Sequence, residues 1–115
     1  MRLLVCGGRD YKDRVNVFAL LDRIHEKVPI SCVIQGDARG ADALAKSWAV
    51  SRDVMHEDYP ADWGLHGKAA GHIRNKQMLD EGHPDKVVAF PGGKGTKNMV
   101  AQARKAGLKV LEVSV

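Results

Sequence analysis

The stretch Pro91-Gly92-Gly93-Lys94-Gly95-Thr96 decides the fold, because it joins a buried-strand pattern to a helical one. The strand pattern is Lys86-Val87-Val88-Ala89-Phe90, and the helical pattern runs from about Thr96 to Ala106. The three glycines allow a sharp turn and a close approach of a ligand to the main chain, and the first N–H groups of a helix attract an anion. The segment therefore predicts a phosphate-binding turn at a strand end, with Thr96 offering a hydroxyl.

Two further glycine turns follow strand patterns in the same way. Cys6-Gly7-Gly8-Arg9-Asp10 follows an apolar run at 2–6, and Gln35-Gly36-Asp37-Ala38-Arg39-Gly40-Ala41-Asp42 follows a run at 31–35. Further strands are predicted at 54–57 and 109–113, with helices of apolar period between the strands and an irregular segment from Asp58 to Lys68. Short apolar strands alternating with helices predict one α/β domain over 1–115, whose five-stranded parallel sheet has the order 3-2-1-4-5 and is covered on both faces.

In such a sheet, ligands bind beyond the carboxyl ends of the strands, where the winding reverses. The expected crevice lies between the Gly7-Gly8 turn and the Gly92-Gly93 turn. In the third long helix, Gly71, Asn75 and Met78 share one face, so Asn75 is expected to pack toward the sheet. Arg74 is its neighbour on the helix and is expected to turn toward the crevice.

Composition narrows the class of protein. The chain has 115 residues, a formal net charge of +4 and two cysteines, Cys6 and Cys32, both inside apolar runs. The charge fits an anionic partner, but no Lys/Arg run marks a nucleic-acid arm. Buried free thiols and the lack of a spanning apolar segment favour a cytoplasmic protein without membrane contact. His56, His66 and His72 lack the spacing of a metal site, so no metal is expected.

Two common nucleotide motifs are absent. The P-loop pattern fails because Lys94 comes one place too early, and the dinucleotide pattern fails because Asn98 stands where a third glycine is needed. The sequence therefore supports neither a P-loop kinase or ATPase nor a hydride-transfer enzyme, and no bound cofactor is predicted.

The glycine turns resemble instead those of the SLOG superfamily, most closely its YspA-like branch. The matching segments are Gly8-Arg9-Asp10-Tyr11, Gln35 to Ala45, Trp63, Gly67 to Gly71, Arg74-Asn75-x-x-Met78 and Pro91-Gly92-Gly93-x-Gly95-Thr96. The superfamily includes the LOG phosphoribohydrolases and the DprA/Smf proteins. The resemblance implies a Rossmann-like three-layer sandwich, a nucleotide or nucleotide-derived ligand, and a homodimer, but no defined activity.

The chain departs from the LOG enzymes at one position that matters for mechanism. Those enzymes carry PGGxGTxxE, whose glutamate serves cleavage of a base from ribose 5′-monophosphate, and this chain has Met99 there. A thioether neither carries the charge nor accepts the proton. The resemblance thus implies that the residues that bind the ligand are present in this chain and that the residue needed for hydrolysis is absent. Arg74 is a candidate for the arginine that pairs with the glutamate in LOG enzymes.

The predicted function is a nucleotide-binding domain, such as a ligand sensor. Two alternatives stay open: a hydrolase that uses Asp10, Asp37 or Asp42, and a DprA-like binder of single-stranded nucleic acid. Asp37 is as well suited to capping the second helix as to binding a ligand. Tyr59 and Trp63 are expected either to cover the base of the ligand or to pack at the edge of the core. The predicted ligand-binding residues are Gly7, Gly8, Arg9, Asp10, Gly36, Asp37, Arg39, Asp42, Arg74, Asn75, Pro91, Gly92, Gly93, Gly95 and Thr96.

Overall fold

A computed structural model describes residues 1–114, in which five strands alternate with helices. The strands are β1 (Arg2–Cys6), β2 (Cys32–Gln35), β3 (Met55–Asp58), β4 (Lys86–Ala89) and β5 (Lys109–Glu112). The helices are α1 (Arg14–Lys27), α2 (Ala41–Ser51), the short α3 (Trp63–His66), α4 (Ala70–Gly82) and α5 (Lys94–Lys105), and a 3₁₀ turn covers Gly67–Ala69. Val115, the last residue of the predicted domain, lies outside the described residues.

The strands form one parallel sheet in the order β3-β2-β1-β4-β5, which confirms the predicted α/β class and strand order. β1 is central and pairs with β2 and β4. Cys6 lies opposite Ala89, so the turns that follow β1 and β4 leave the sheet at the same level. The fold is Rossmann-like.

The two faces of β1 explain why its sequence is a continuous apolar run. Leu3 and Val5 pack with α1 and α2, where Trp48 is the largest fully buried side chain, and Leu4 and Cys6 pack with α4 and α5. Alternate side chains of a strand point to opposite faces, so a sheet covered on both sides needs apolar residues at every position. No helix within residues 1–114 is long and apolar enough to cross a membrane.

The predicted strands agree with the observed ones to within one residue at each end, but two helical segments differ more from the sequence-based prediction. α5 begins at Lys94 rather than Thr96, because Gly93 serves as its N-cap and the next two residues are already helical. The segment predicted as irregular from Asp58 to Lys68 contains α3, which begins where Asp62 Oδ1 accepts the N–H of Leu65 at 3.0 Å. An aspartate N-cap of this kind satisfies an N–H group that the first turn leaves without a helical acceptor.

Candidate functional site

The three glycine turns meet at the carboxyl edge of the sheet. The N–H of Gly8 donates to the carbonyl of Pro91 at 2.9 Å, and the N–H of Ala41 donates to the carbonyl of Gly8 at 3.1 Å. The turn after β1 is thus bonded to the turn after β4 and to the start of α2. A cleft of about 570 Å³ opens above this junction, and its lining includes residues of α3, α4 and α5.

The start of α5 forms one wall of the cleft. The first helical hydrogen bond of α5 joins the N–H of Lys97 to the carbonyl of Gly93 at 3.0 Å, so the N–H groups of Lys94, Gly95 and Thr96 precede it. A Cβ built at Gly93 or at Gly95 would meet nothing within 4 Å. Packing inside the protein therefore does not require glycine at these two positions, and the space beside them is open to a ligand.

Gly92, in contrast, is required by packing. A Cβ there would lie 2.7 Å from the main-chain nitrogen of Gly8 and would collide with the Thr96 hydroxyl. Gly92 therefore lets the turns after β1 and β4 approach each other. It supports the wall of the cleft but does not line the cleft.

The charges that face the cleft are mostly positive. Among the described residues that line it, Arg9, Lys68, Arg74 and Lys94 are cationic, whereas Asp42 is the one carboxylate. Clefts with low-dielectric walls and charges of one sign concentrate the opposite charge. The electrostatics of this cleft therefore favour an anion.

Arg74 of α4 forms part of the floor. Its Nη1 donates to the carbonyl of Gly36 at 2.5 Å and lies 3.4 Å from that of Tyr59, and its Nε donates to Asn75 Oδ1 at 3.1 Å. Burial lowers the pKa of the guanidinium, which nevertheless stays charged at neutral pH. A Cβ at Gly36 would collide with Nη1, so glycine is needed there to admit the arginine.

Asn75 joins the two helices that flank the cleft. Its side chain is buried, as predicted, and Nδ2 donates to the carbonyl of Gly95 at 3.1 Å and to Asn98 Oδ1 at 3.2 Å. Because the carbonyl of Gly95 belongs to the first turn of α5, this amide fixes that turn against α4.

Asp42 is a buried carboxyl on the cleft wall. Its residue is 6% exposed, and its Oδ2 accepts the N–H of Ala38 at 3.3 Å. Burial raises the pKa of Asp42 to about 6, although the hydrogen bond from Ala38 and the nearby Arg74 oppose the shift. A carboxyl with such a pKa exchanges a proton close to neutral pH.

Six of the predicted ligand-binding residues do not line this cleft, namely Asp10, Gly36, Asp37, Arg39, Pro91 and Gly92. Asp10 pairs with Arg39 at 3.5 Å, and both side chains are largely exposed. Asp37 adopts a left-handed φ of 56° and its carboxylate lies 3.6 Å from Lys46 Nζ. It does not cap α2, whose N-cap is Gly40. The other nine predicted residues line the cleft, namely Gly7, Gly8, Arg9, Asp42, Arg74, Asn75, Gly93, Gly95 and Thr96.

Gln35 received no role from sequence reasoning, although it is fully buried at the end of β2. Its Oε1 accepts the N–H of Asp37 at 2.5 Å and its Nε2 donates to Asp58. This side chain orders the turn that presents Gly36 to Arg74. The available signal was a polar residue at the end of an otherwise apolar strand.

Met99 does not face the cleft. It is fully buried in the core between the sheet and α4 and α5, together with Cys6 and Met78. The position that carries a glutamate in LOG enzymes is therefore a packing position in this chain. Within residues 1–114, no group of three or more His, Cys, Asp or Glu side chains is arranged to hold a metal ion.

The fold and the site define a Rossmann-like α/β domain with a cationic cleft at the carboxyl edge of its sheet. Over residues 1–66 the chain matches the YspA, cpYpsA-related SLOG family, and it belongs to that family. It is also 41% identical over 118 residues to the Gene 61 protein of Mycobacterium phage D29, across 96% of this chain and 94% of that protein. Membership of the SLOG family indicates a domain of nucleotide-related binding or processing.

Proposed function

We propose that the protein binds a nucleotide-derived small molecule in this cleft, with a phosphate at the start of α5, and does not release the base as LOG enzymes do. The observation that carries the proposal is the start of α5, where main-chain N–H groups and Lys94 face one cleft.

The first turn of α5 carries positive charge, and no acidic side chain caps it. Acidic residues are favoured there because the helix dipole is positive at its N-terminus, yet this turn contains none and includes Lys94 and Lys97. α1 and α3, by comparison, begin at aspartates that accept a main-chain N–H. A bound phosphate would supply the missing negative charge and accept hydrogen bonds from the free N–H groups of α5.

The cleft also has a suitable size. Its volume of about 570 Å³ falls inside the range of roughly 300–1,000 Å³ that is usual for small-molecule sites. A phosphate at α5 would leave room for a sugar and a base along α4. Met99 supports binding without LOG-type hydrolysis, because this chain has a buried thioether where those enzymes carry a carboxylate.

A second candidate function is hydrolysis that depends on Asp42. Of the three carboxylates considered from the sequence, Asp10 and Asp37 pair with basic residues outside the cleft, whereas Asp42 lines it. The raised pKa of Asp42 suits a general acid or base.

Titration calorimetry with inorganic phosphate, ribose 5-phosphate, nucleoside 5′-monophosphates and ADP-ribose tests the first proposal, with chromatography of each mixture for free base. We expect the phosphorylated ligands to bind and no base to be released. Base release that is lost in Asp42→Asn would establish the second candidate instead, and no binding of any phosphorylated ligand would reject the proposed site.

We also propose that the domain works in the cytoplasm as a homodimer that senses its ligand. The α3 to α4 segment that borders the cleft exposes Leu65 at 72% and Ile73 at 43%, which favours a protein contact. Light scattering should give twice the chain mass of 12.6 kDa. A value of 12.6 kDa across micromolar concentrations would reject the dimer.

A further inference from the structure

Trp63, the first residue of α3, is a large aromatic side chain that the core does not use. It lines the cleft with its residue 47% exposed. Its ring edge rests over Gly71 of α4, where Cη2 would lie 3.5 Å from an added Cβ. Burial of an aromatic ring contributes strongly to stability, so an indole left half exposed beside a cleft has a role other than core packing.

Arg9, in the turn after β1, lies over this ring. The carbon of its guanidinium is 5.0 Å from the ring centroid, within the range of a cation–π contact. The neighbouring acid Asp10 pairs with Arg39 rather than with Arg9. A planar cation from the turn after β1 and a planar ring from α3 are therefore in contact in the lining of the cleft.

We propose that Trp63 is the stacking platform for the heteroaromatic base of the ligand, and that Arg9, which covers the ring at 5.0 Å in the free protein, moves outward to admit the base and then covers its other face. The inference rests on the proposed phosphate site and deepens it, because it assigns the base to the wall of the cleft that α3 provides. Every nucleobase offers a π face to an indole and to a guanidinium, so this contact selects nucleotides over sugar phosphates without selecting one base.

The stacking contact should change the affinity for the ligand by a measurable factor. Stacking of a base on an aromatic side chain changes affinity by about tenfold or more. A nucleoside 5′-monophosphate is therefore expected to bind at least about tenfold more tightly than ribose 5-phosphate, which places the same phosphate at α5 but has no base.

Fluorescence reports this contact directly, since the chain has two tryptophans and Trp48 is fully buried. Adenosine 5′-monophosphate should quench the emission of Trp63 and protect it from acrylamide, whereas ribose 5-phosphate should do neither. Trp63→Leu should lower the affinity for the nucleotide about tenfold and leave that for ribose 5-phosphate unchanged, and Trp63→Phe should keep most of the selectivity. His66→Ala, an exposed position on the same short helix that does not line the cleft, is the matched control and should bind as the parent does.

The outcomes separate this inference from the proposed function. Equal affinity for the nucleotide and ribose 5-phosphate, or selectivity that survives in Trp63→Leu, would overturn the stacking role and leave the phosphate site standing. Failure of both ligands to bind would overturn the stacking role and the phosphate site together.

Discussion

The main-chain N–H of Gly8 lies 2.9 Å from the carbonyl oxygen of Pro91 and donates a hydrogen bond to it. This bond ties the turn after β1 to the turn after β4, two segments more than eighty positions apart in the sequence. Because the free N–H groups of α5 follow directly after Pro91-Gly92-Gly93, their position depends on this contact. The anion site that we propose is thus built on the central strand pair rather than on a free loop.

Two glycine substitutions should therefore have opposite effects on stability. Gly92→Ala places a Cβ against Gly8 and Thr96, and overpacking of this kind costs about 1–3 kcal/mol. Gly95→Ala adds a methyl in open space inside the first turn of α5, where alanine favours the helix by up to about 1 kcal/mol. Urea unfolding should show a loss for the first variant and no loss for the second. Equal stability of the two variants would mean that the turns do not approach as described.

Lys94 and Lys97 form a matched pair for testing the electrostatics of the cleft. Both belong to α5, but only Lys94 lines the cleft. Lys94→Gln should weaken the binding of a nucleoside 5′-monophosphate by about fivefold to tenfold and reduce its dependence on salt, as expected for the loss of one charge-assisted contact. Lys97→Gln should change affinity by less than about twofold. Titration calorimetry at two salt concentrations measures both, and equal effects would argue against a phosphate at this wall.

Asp42 should make stability depend on pH in an identifiable direction. Its pKa is raised from 3.8 to about 6 in the folded protein, so the folded state holds this proton more tightly than the unfolded state. The stabilisation is complete below pH 4 and is lost as pH rises through 6, by roughly 3 kcal/mol in total. Asp42→Asn removes this titration and keeps a side-chain oxygen for the N–H of Ala38.

The measurement is urea unfolding of the parent and of Asp42→Asn from pH 4 to pH 8. Other carboxyl groups titrate in the same interval, but they are common to both proteins and cancel in the difference. We expect Asp42→Asn to gain stability relative to the parent as pH rises from 4 to 7. Parallel curves would show that Asp42 is not a buried carboxyl with a raised pKa.

Met99→Glu should destabilise the fold rather than restore hydrolysis. Met99 is fully buried, so the glutamate loses core packing and places a carboxyl among apolar side chains, at a cost of at least about 3 kcal/mol. Met99→Leu, which nearly conserves volume, should cost less than about 1.5 kcal/mol. A well-folded Met99→Glu protein that releases base from a nucleotide would show that this position faces the ligand after all.

The fold was readable from the sequence because the strands of a doubly covered sheet are short apolar runs. The apolar run Leu3-Leu4-Val5 predicts β1, and the alternation of strands with helices predicts the parallel sheet and its strand order. The sequence pattern predicts a start of α5 at about Thr96, two residues later than the observed start at Lys94. Glycine has low helix propensity, so Lys94-Gly95 is as compatible with a loop as with the first turn of a helix. α3 was missed although Asp62 is its N-cap, since a helix of one turn has no apolar period to detect.

The side-chain partners were less predictable than the backbone. The pairing of Asp10 with Arg39, and of Asp37 with Lys46, follows from the conformation of two turns, including the left-handed backbone of Asp37. A sequence pattern places these residues at the correct edge of the sheet but does not say which way they point. The contact of Arg9 with Trp63 joins the turn after β1 to α3, and only the folded chain brings these two residues together.

The central claim, that a phosphate binds at the start of α5, is tested most directly by calorimetry of adenosine 5′-monophosphate and adenosine with the parent protein and Gly93→Val. Gly93 has a φ of −100° and a ψ of −142°, a pair outside the region that valine favours, so the variant should lose more than the roughly 1 kcal/mol of an N-cap substitution, and a melting curve identifies the temperatures at which it is folded. We expect the parent to bind the nucleotide far more tightly than the nucleoside, and Gly93→Val to lose that difference because its side chain occupies the place of the anion. Equal affinity of the parent for the two ligands, or undiminished nucleotide binding by folded Gly93→Val, would contradict the account.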